Sequence, residues 1–252
     1  TAVSKRRMSR RRRKKMIRRL IIRCGMLTAV LLFLFGLIWG GIFLWNRLKT
    51  DGEEQAFAGA SVIEQPESFP EGQPKIMIDA GHGGKDQGTS AGKVLEKDLN
   101  LQVAEKLAEE LKKRGAAVLL TRTDDTKIPL EERAAMANEK EADLFVSIHC
   151  NYCEDDSSVQ GLECYYREGS DGAQRLAEDV VTAVEESSLI PCRGTRTADF
   201  SVLRNTSMTA VLVEIGYLSN SSERQNLGSK DYQQELIDRL ADGILMENGE
   251  TS

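Results

Sequence analysis

The sequence predicts an α/β domain, with a mostly parallel or mixed sheet covered by helices, preceded by one transmembrane helix. Three observations carry this expectation. From residue 74 onward, short apolar runs alternate with longer amphipathic ones, the pattern of successive β-α-β units. The last strand-like run, Ala210-Val-Leu-Val-Glu214, is apolar without a period of two, as in a strand buried on both faces. Ahead of all this, Cys24 to Asn46 is a stretch of 23 uncharged residues. At about 1.5 Å per helical residue, it crosses a hydrocarbon core of about 30 Å.

The elements follow in chain order. Residues 1–23 carry twelve Lys and Arg and no acid, so the positive-inside rule keeps this tail in the cytoplasm and sends the rest across the membrane. The remaining residues hold 22 basic and 39 acidic side chains, a net charge of −17. The basic block lies flush against the span, which favours a membrane partner over a nucleic-acid patch. Trp45 stands where an interfacial anchor belongs. Ala56-Phe-Ala58 offers a competing signal-peptide cleavage site, but the apolar stretch exceeds the usual ~7–15 residues and ends well before it. An uncleaved anchor over 24–46 is therefore expected. Residues 47–73 hold acids, Gly, Ala, Ser and two prolines without periodicity and read as a flexible tether.

Residues 74–248 then form one domain of ordinary size. Its strand-like segments are Lys75–Asp79, Ala116–Thr121, Asp143–His149, Gly161–Tyr166 and Ala210–Glu214, rich in β-branched, leucine and aromatic residues. Leu99, Val103, Leu107 and Leu111 recur every fourth position before Gly115, which predicts a helix with one buried face and a glycine stop. Leu130–Glu139, Ala173–Ser187 and Asp231–Met246 read as further helices. Outside the span, Cys150, Cys153, Cys164 and Cys192 permit two disulfides in three possible pairings or four free thiols.

The chain has only two histidines, and each ends an apolar run: His82 in Ile78-Asp-Ala-Gly-His82-Gly-Gly, and His149 in Phe145-Val-Ser-Ile-His149-Cys-Asn. Strand ends are where α/β folds gather their sites. A hydrolytic zinc takes three ligands from His and Asp/Glu and leaves a position open. Two acids are placed to join the histidines: Glu96, just before the first amphipathic helix, and Glu214, after Val211-Leu-Val. One can bind metal while the other serves as general base; spacing leaves open which does which. Each residue also has a structural reading: the histidines as hydrogen-bonded loop residues, Glu96 as a helix N-terminal acid. Glu214 is harder to explain away, because an unpaired acid behind three apolar residues is expensive to bury. The loop Gly81-His-Gly-Gly-Lys-Asp-Gln-Gly88 lacks a P-loop ending and has Asp86 in place of the third glycine of a dinucleotide fingerprint, which argues against nucleotide binding. Cys150-Asn-Tyr-Cys153 has redox spacing without a helix start. On an extended strand Cys150 points away from His149, so it is not expected to close the metal site.

Eight ordered motifs, Ile78-Asp-Ala-Gly-His-Gly-Gly84, Glu96-Lys-Asp-Leu-Asn-Leu101, Leu120-Thr-Arg-Thr-Asp124, Arg133 to Asn138, Ser147-Ile-His-Cys-Asn151, Gly161-Leu-Glu163, Val202-Leu-Arg204 and Leu212-Val-Glu-Ile-Gly-Tyr-Leu-Ser-Asn220, resemble the N-acetylmuramoyl-L-alanine amidase family of zinc-dependent cell-wall hydrolases. The resemblance runs over residues 75 to 246. It implies a three-layer α/β/α fold and hydrolysis of the amide joining N-acetylmuramic acid to L-alanine in peptidoglycan. It implies one Zn2+ per chain held by His82, Glu96 and His149, with Glu214 as the catalytic carboxylate. Asp79 is expected to support the metal site, and Asn151 and Arg204 to face substrate, by position alone. Cys150 and Thr209 stand where the family has a small residue and proline. Anchor, tether and a bare catalytic domain resemble the branch acting on spore cortex, with an accessory protein expected for targeting or activation. Rival readings are a catalytically silent peptidoglycan scaffold and a zinc peptidase or deacetylase.

Overall fold

A computed structural model describes residues 68–246. The basic tail, the expected transmembrane span, residues 47–67 of the tether and residues 247–252 lie outside the described residues. No helix among the described residues is long and apolar enough to cross a membrane.

Strand β1 (Lys75–Ala80) leads through a small hairpin, β2 (Ser90–Ala91) and β3 (Val94–Leu95), into helix α1 (Glu96–Lys113). There follow β4 (Ala117–Leu120), α2 (Leu130–Glu139), β5 (Leu144–Asn151), β6 (Leu162–Tyr166), α3 (Asp171–Glu185), β7 (Cys192–Thr197), α4 (Ser201–Asn205), β8 (Thr209–Tyr217), α5 (Ser221–Leu227) and α6 (Lys230–Met246). The six-stranded sheet has the order β4-β1-β5-β8-β6-β7. Its first four strands are mutually parallel; β6 runs antiparallel to β8, and β7 parallel to β6. The sheet is therefore mixed.

Apolar periodicity explains the layers. Leu99, Val103, Leu107 and Leu111 are fully buried along α1, packed with α3 and α6 over Ile76, Val146 and Val213. Alternate residues of the same strands, Met77, Phe145 and Leu212, face the other way and meet Ala137 of α2 with Val202 and Leu203 of α4. Three layers result, helices on both faces of one sheet. Helix α1 ends as its glycine predicts: Gly115 has φ +95°, its N–H donates to Lys112 O and that of Ala116 to Leu111 O, the paired bonds of a Schellman motif.

This topology makes the site. From β1 the chain crosses by α1 to β4 on one side, then returns by α2 to β5 on the other side of β1. The strand order reverses between β1 and β5, and the crevice at their carboxyl ends is where such sheets bind ligands. Helices α2 and α4 on the second face have 10 and 5 residues, against 18, 15 and 17 for α1, α3 and α6. His149 and Glu214, at the carboxyl ends of that thinly covered face, are only half-buried.

Candidate metal centre and active site

The loop after β1 is built backbone first. Gly81 N–H donates to Ile148 O at 3.0 Å, keeping β1 zipped to β5 one residue past the strand. A side chain at Gly81 is impossible without displacement, since its Cβ would lie 2.4 Å from the His149 ring. His82 adopts φ +61°, a left-handed conformation uncommon and costly for a residue with a Cβ. Two buried arginines hold it there. Arg122 donates to Ala80 O at 2.9 Å and Gly81 O at 3.0 Å; Arg133 donates to Ala80 O at 2.6 Å and His82 O at 2.7 Å. Asp79 lies beneath, fully buried, with Arg133 at 2.6 Å and the hydroxyls of Thr121 and Ser147 each at 2.7 Å. Burial opposes its ionisation, but Arg133 and the two hydroxyls prevail and hold its carboxyl below the usual range. Asp79 is thus linked to the His82 backbone through Arg133.

Glu96 is the first residue of α1 rather than the residue before it. Its Oε1 lies 2.9 Å from His149 Nδ1 and 3.2 Å from His82 Nε2 and accepts from Cys150 N–H at 3.1 Å; Oε2 accepts from Thr89 N–H at 2.7 Å. His82 Nδ1 lies 2.9 Å from Asp86 Oδ1, so a carboxylate orients the imidazole from its far side, as for metal-ligating histidines. Ligand atoms of His82, Glu96 and His149 all fall within 4.8 Å of one another, and no other such trio occurs among the described residues. Ligands about 2.1 Å from a tetrahedral zinc stand roughly 3.4 Å apart; the observed separations and the two-imidazole, one-carboxylate donor set fit that ion. Burial works against ionisation of Glu96, yet the flanking imidazoles drive its pKa far below normal. Burial likewise works against protonation of His82, but Glu96 and Asp86 raise its pKa above 6.5.

Glu214 pairs in register with His149 across β5 and β8. Its Oε2 is buried without a hydrogen-bond partner, and burial pushes its pKa up to about 7, with His149 pulling down and Glu96 and Glu163 pushing up. Asn151 donates to Glu163 at 3.3 Å and accepts from Tyr152 N–H, beside the site. Arg204 sits on α4 with its guanidinium paired to Asp199 at 2.9 Å; none of its bonds joins it to the cluster. Cys150 is buried on the opposite face of β5, its Sγ 3.4 Å from Asn100 Oδ1, and burial followed by Glu96 and Glu214 raises its thiol well above the ordinary value. Cys150, Cys153, Cys164 and Cys192 are all free thiols. A cleft of about 380 Å³, lined by both histidines, Asp86, Arg133 and the segment Lys127 to Glu131, opens over the cluster.

Asp86, Arg122, Arg133 and Glu163 carry roles that single-residue reading did not assign. Asp86 stands four residues after His82 in a glycine-rich loop, and that spacing was the one signal available. Glu163 is 2 % exposed, a burial almost never found for an unpaired acid, yet it sits in register with Glu214 on β6.

Fold and site together define a class: α/β/α hydrolases with their chemistry at a sheet switch point. A family model described as N-acetylmuramoyl-L-alanine amidase matches residues 76–246, and the chain belongs to that family. Among curated relatives, the Bacillus subtilis strain 168 protein YqiI is 38% identical over 203 residues, 80% of this chain and 96% of its own. The probable cell wall amidase LytH of Staphylococcus aureus is 37% identical over 172 residues, 67% of this chain; the match spans 56% of LytH. Among solved structures, an N-acetylmuramoyl-L-alanine amidase from Clostridium difficile 630 aligns with a TM-score of 0.68 at 37% identity, over 74% of this chain and 100% of that one. The CwlD amidase of Clostridioides difficile, solved in complex with the GerS lipoprotein, aligns at 0.62 and 29% identity, over 67% and 95%. Family and structural relatives support peptidoglycan amidase activity.

Proposed function

We propose that this chain is a zinc-dependent N-acetylmuramoyl-L-alanine amidase, hydrolysing the amide between the lactyl group of N-acetylmuramic acid and L-alanine of the stem peptide. One observation carries the reading: a His-Glu-His trio of zinc geometry with the unpartnered carboxyl of Glu214 on the adjoining strand. His82, Glu96 and His149 would hold one Zn2+, which when bound supplies Lewis acidity toward a carbonyl and a water. Glu214, with its pKa near 7, is matched to taking a proton from water and returning one to the leaving amine. Asp86 keeps the His82 ring turned, and Arg122 and Arg133 keep its backbone in place. Asn151, hydrogen-bonded to Glu163, and Arg204 of α4 are proposed to meet substrate.

The proposal extends to place and partner. Twelve basic residues ahead of an uncharged stretch support a single-pass protein with a cytoplasmic N-terminus and an extracytoplasmic catalytic domain. The GerS lipoprotein in the structure of the CwlD neighbour supports an accessory protein, and action on spore cortex is proposed from the resemblance of anchor, tether and bare catalytic domain alone. The deciding experiment is mass spectrometry of peptidoglycan treated with the full chain and Zn2+. Intact peptides beginning with L-alanine are expected, and none after chelation; new sugar termini or cuts within the peptide would refute the reading.

A further inference from the structure

The geometry points to a second recognition element beside the proposed catalytic centre: Arg193 and Arg196, gathered by buried Glu163, form a clamp for a carboxylate on the peptide half of the substrate. This rests on the amidase reading above, and it names which part of the substrate is read and by what.

His149, Glu214 and Glu163 lie in one register row across β5, β8 and β6, about 4.8 Å per step. Strand β7 comes next and carries the two arginines. Each donates its Nε to Glu163 Oε1 at 2.8 Å. The other oxygen, Oε2, accepts from Tyr165 OH at 2.8 Å, Tyr217 OH at 3.1 Å and Asn151 at 3.3 Å. Glu163 is thereby saturated, and its work is to hold guanidinium groups rather than touch solvent.

Two cations on one anion leave an excess positive charge. Neutralising a buried acid needs one arginine; here there are two, with side chains 38% and 44% exposed. With Nε committed, and Arg193 leaning also on Tyr217, the exposed ends of the two guanidiniums still offer donors to a ligand, and their planar fork matches a carboxylate. Among the described residues neither arginine has a second ion pair. Arg193 also lies 5.7 Å over the Tyr217 ring, which limits its swing. The convergence is built by the backbone. Residues three apart on a regular strand point to opposite faces, but β7 shifts register against β6 between Leu162 and Cys164, and Gly194 takes φ +85°. This bulge turns Arg193 and Arg196 to the same acid. Of the two halves joined by the scissile amide, the amino sugar has its lactyl carboxyl consumed in that bond, so free carboxylates belong to the peptide.

The test compares soluble muramoyl-peptides bearing free carboxylates with the same peptides fully amidated, using the full chain and its Arg193→Gln/Arg196→Gln variant. For free-acid substrate the variant should raise KM roughly tenfold and leave kcat within about twofold, as for loss of uniform binding. For amidated substrate it should change neither. Equal handling of both substrates by the unaltered chain, or equal losses on both in the variant, would overturn the clamp. Should the glutamines prevent folding, Arg193→Lys/Arg196→Lys keeps the charge and loses the fork, and a smaller KM rise confined to free acid is expected. Equilibrium binding of free-acid and amidated stem peptides is read separately. If no peptide is ever released, the amidase reading fails, while a binding preference for the acid that the variant abolishes still upholds the clamp and equal binding still defeats it.

Discussion

At His82 a residue with a side chain occupies backbone space that favours glycine, and five hydrogen bonds from Arg122 and Arg133 to neighbouring carbonyls and Asp79 keep it there. Strain of this kind persists only when its surroundings over-determine it. Two predictions belong at this scale. Gly81→Ala would drive a methyl to 2.4 Å from the His149 ring, so bound zinc by elemental analysis and turnover should both collapse, while far-ultraviolet circular dichroism stays native. Glu214→Gln keeps the shape but cannot accept a proton. Turnover should fall at least about a hundredfold with zinc content unchanged, and a drop in zinc content would instead place Glu214 among the ligands. The histidines and the two acids were legible in sequence because each ends an apolar run or opens a periodic helix. Asp86, Arg122, Arg133 and Glu163 were not, because a charged side chain in a loop, a short strand or a short helix looks solvated until partners as far as 54 positions away are brought in by the fold.

Helices with one apolar face announced themselves: α1, with Leu or Val at every turn and a glycine stop, lies within a residue or two of its expected bounds. Strand β7, Cys-Arg-Gly-Thr-Arg-Thr, has no apolar run, because this edge strand serves Glu163 rather than the core. Helix α4 spans five residues, too short to show a period. Packing between elements is the level at which α6 and α3 are most constrained. A Cβ at Gly243 of α6 would stand 2.5 Å from Val180 Cα and 2.9 Å from Asp179 O of α3, backbone atoms that cannot rotate aside. Alanine gains about 1 kcal/mol in helix propensity, but separating two packed helices costs about 1–3 kcal/mol or more. Gly243→Ala should therefore lower the urea midpoint without altering the slope; a raised midpoint would show the helices free to part.

For the molecule as a whole, the helix-covered sheet was foreseeable from alternation, whereas the reversed direction of β6 was not, since strand direction is set by tertiary pairing and leaves no local mark. One global property follows from a residue outside the proposed site. Glu105 on α1 is 9% exposed, and its Oε1 is buried without a hydrogen-bond partner. Burial first, then the nearby Glu109, pushes its pKa from 4.5 up to about 7, against a smaller pull from Arg122. The folded chain therefore binds this proton more tightly than the unfolded chain, and stability from this group is complete below about pH 4.5 and lost as pH rises through about 7. At about 1.4 kcal/mol per pKa unit, the loss amounts to at most about 3.5 kcal/mol. Glu105→Gln, uncharged throughout, should remove that decline. Urea unfolding at pH 5 and pH 7.5 measures it: the unaltered chain should lose more stability between the two than the variant does. Identical losses would mean that Glu105 ionises in the folded protein as freely as in water.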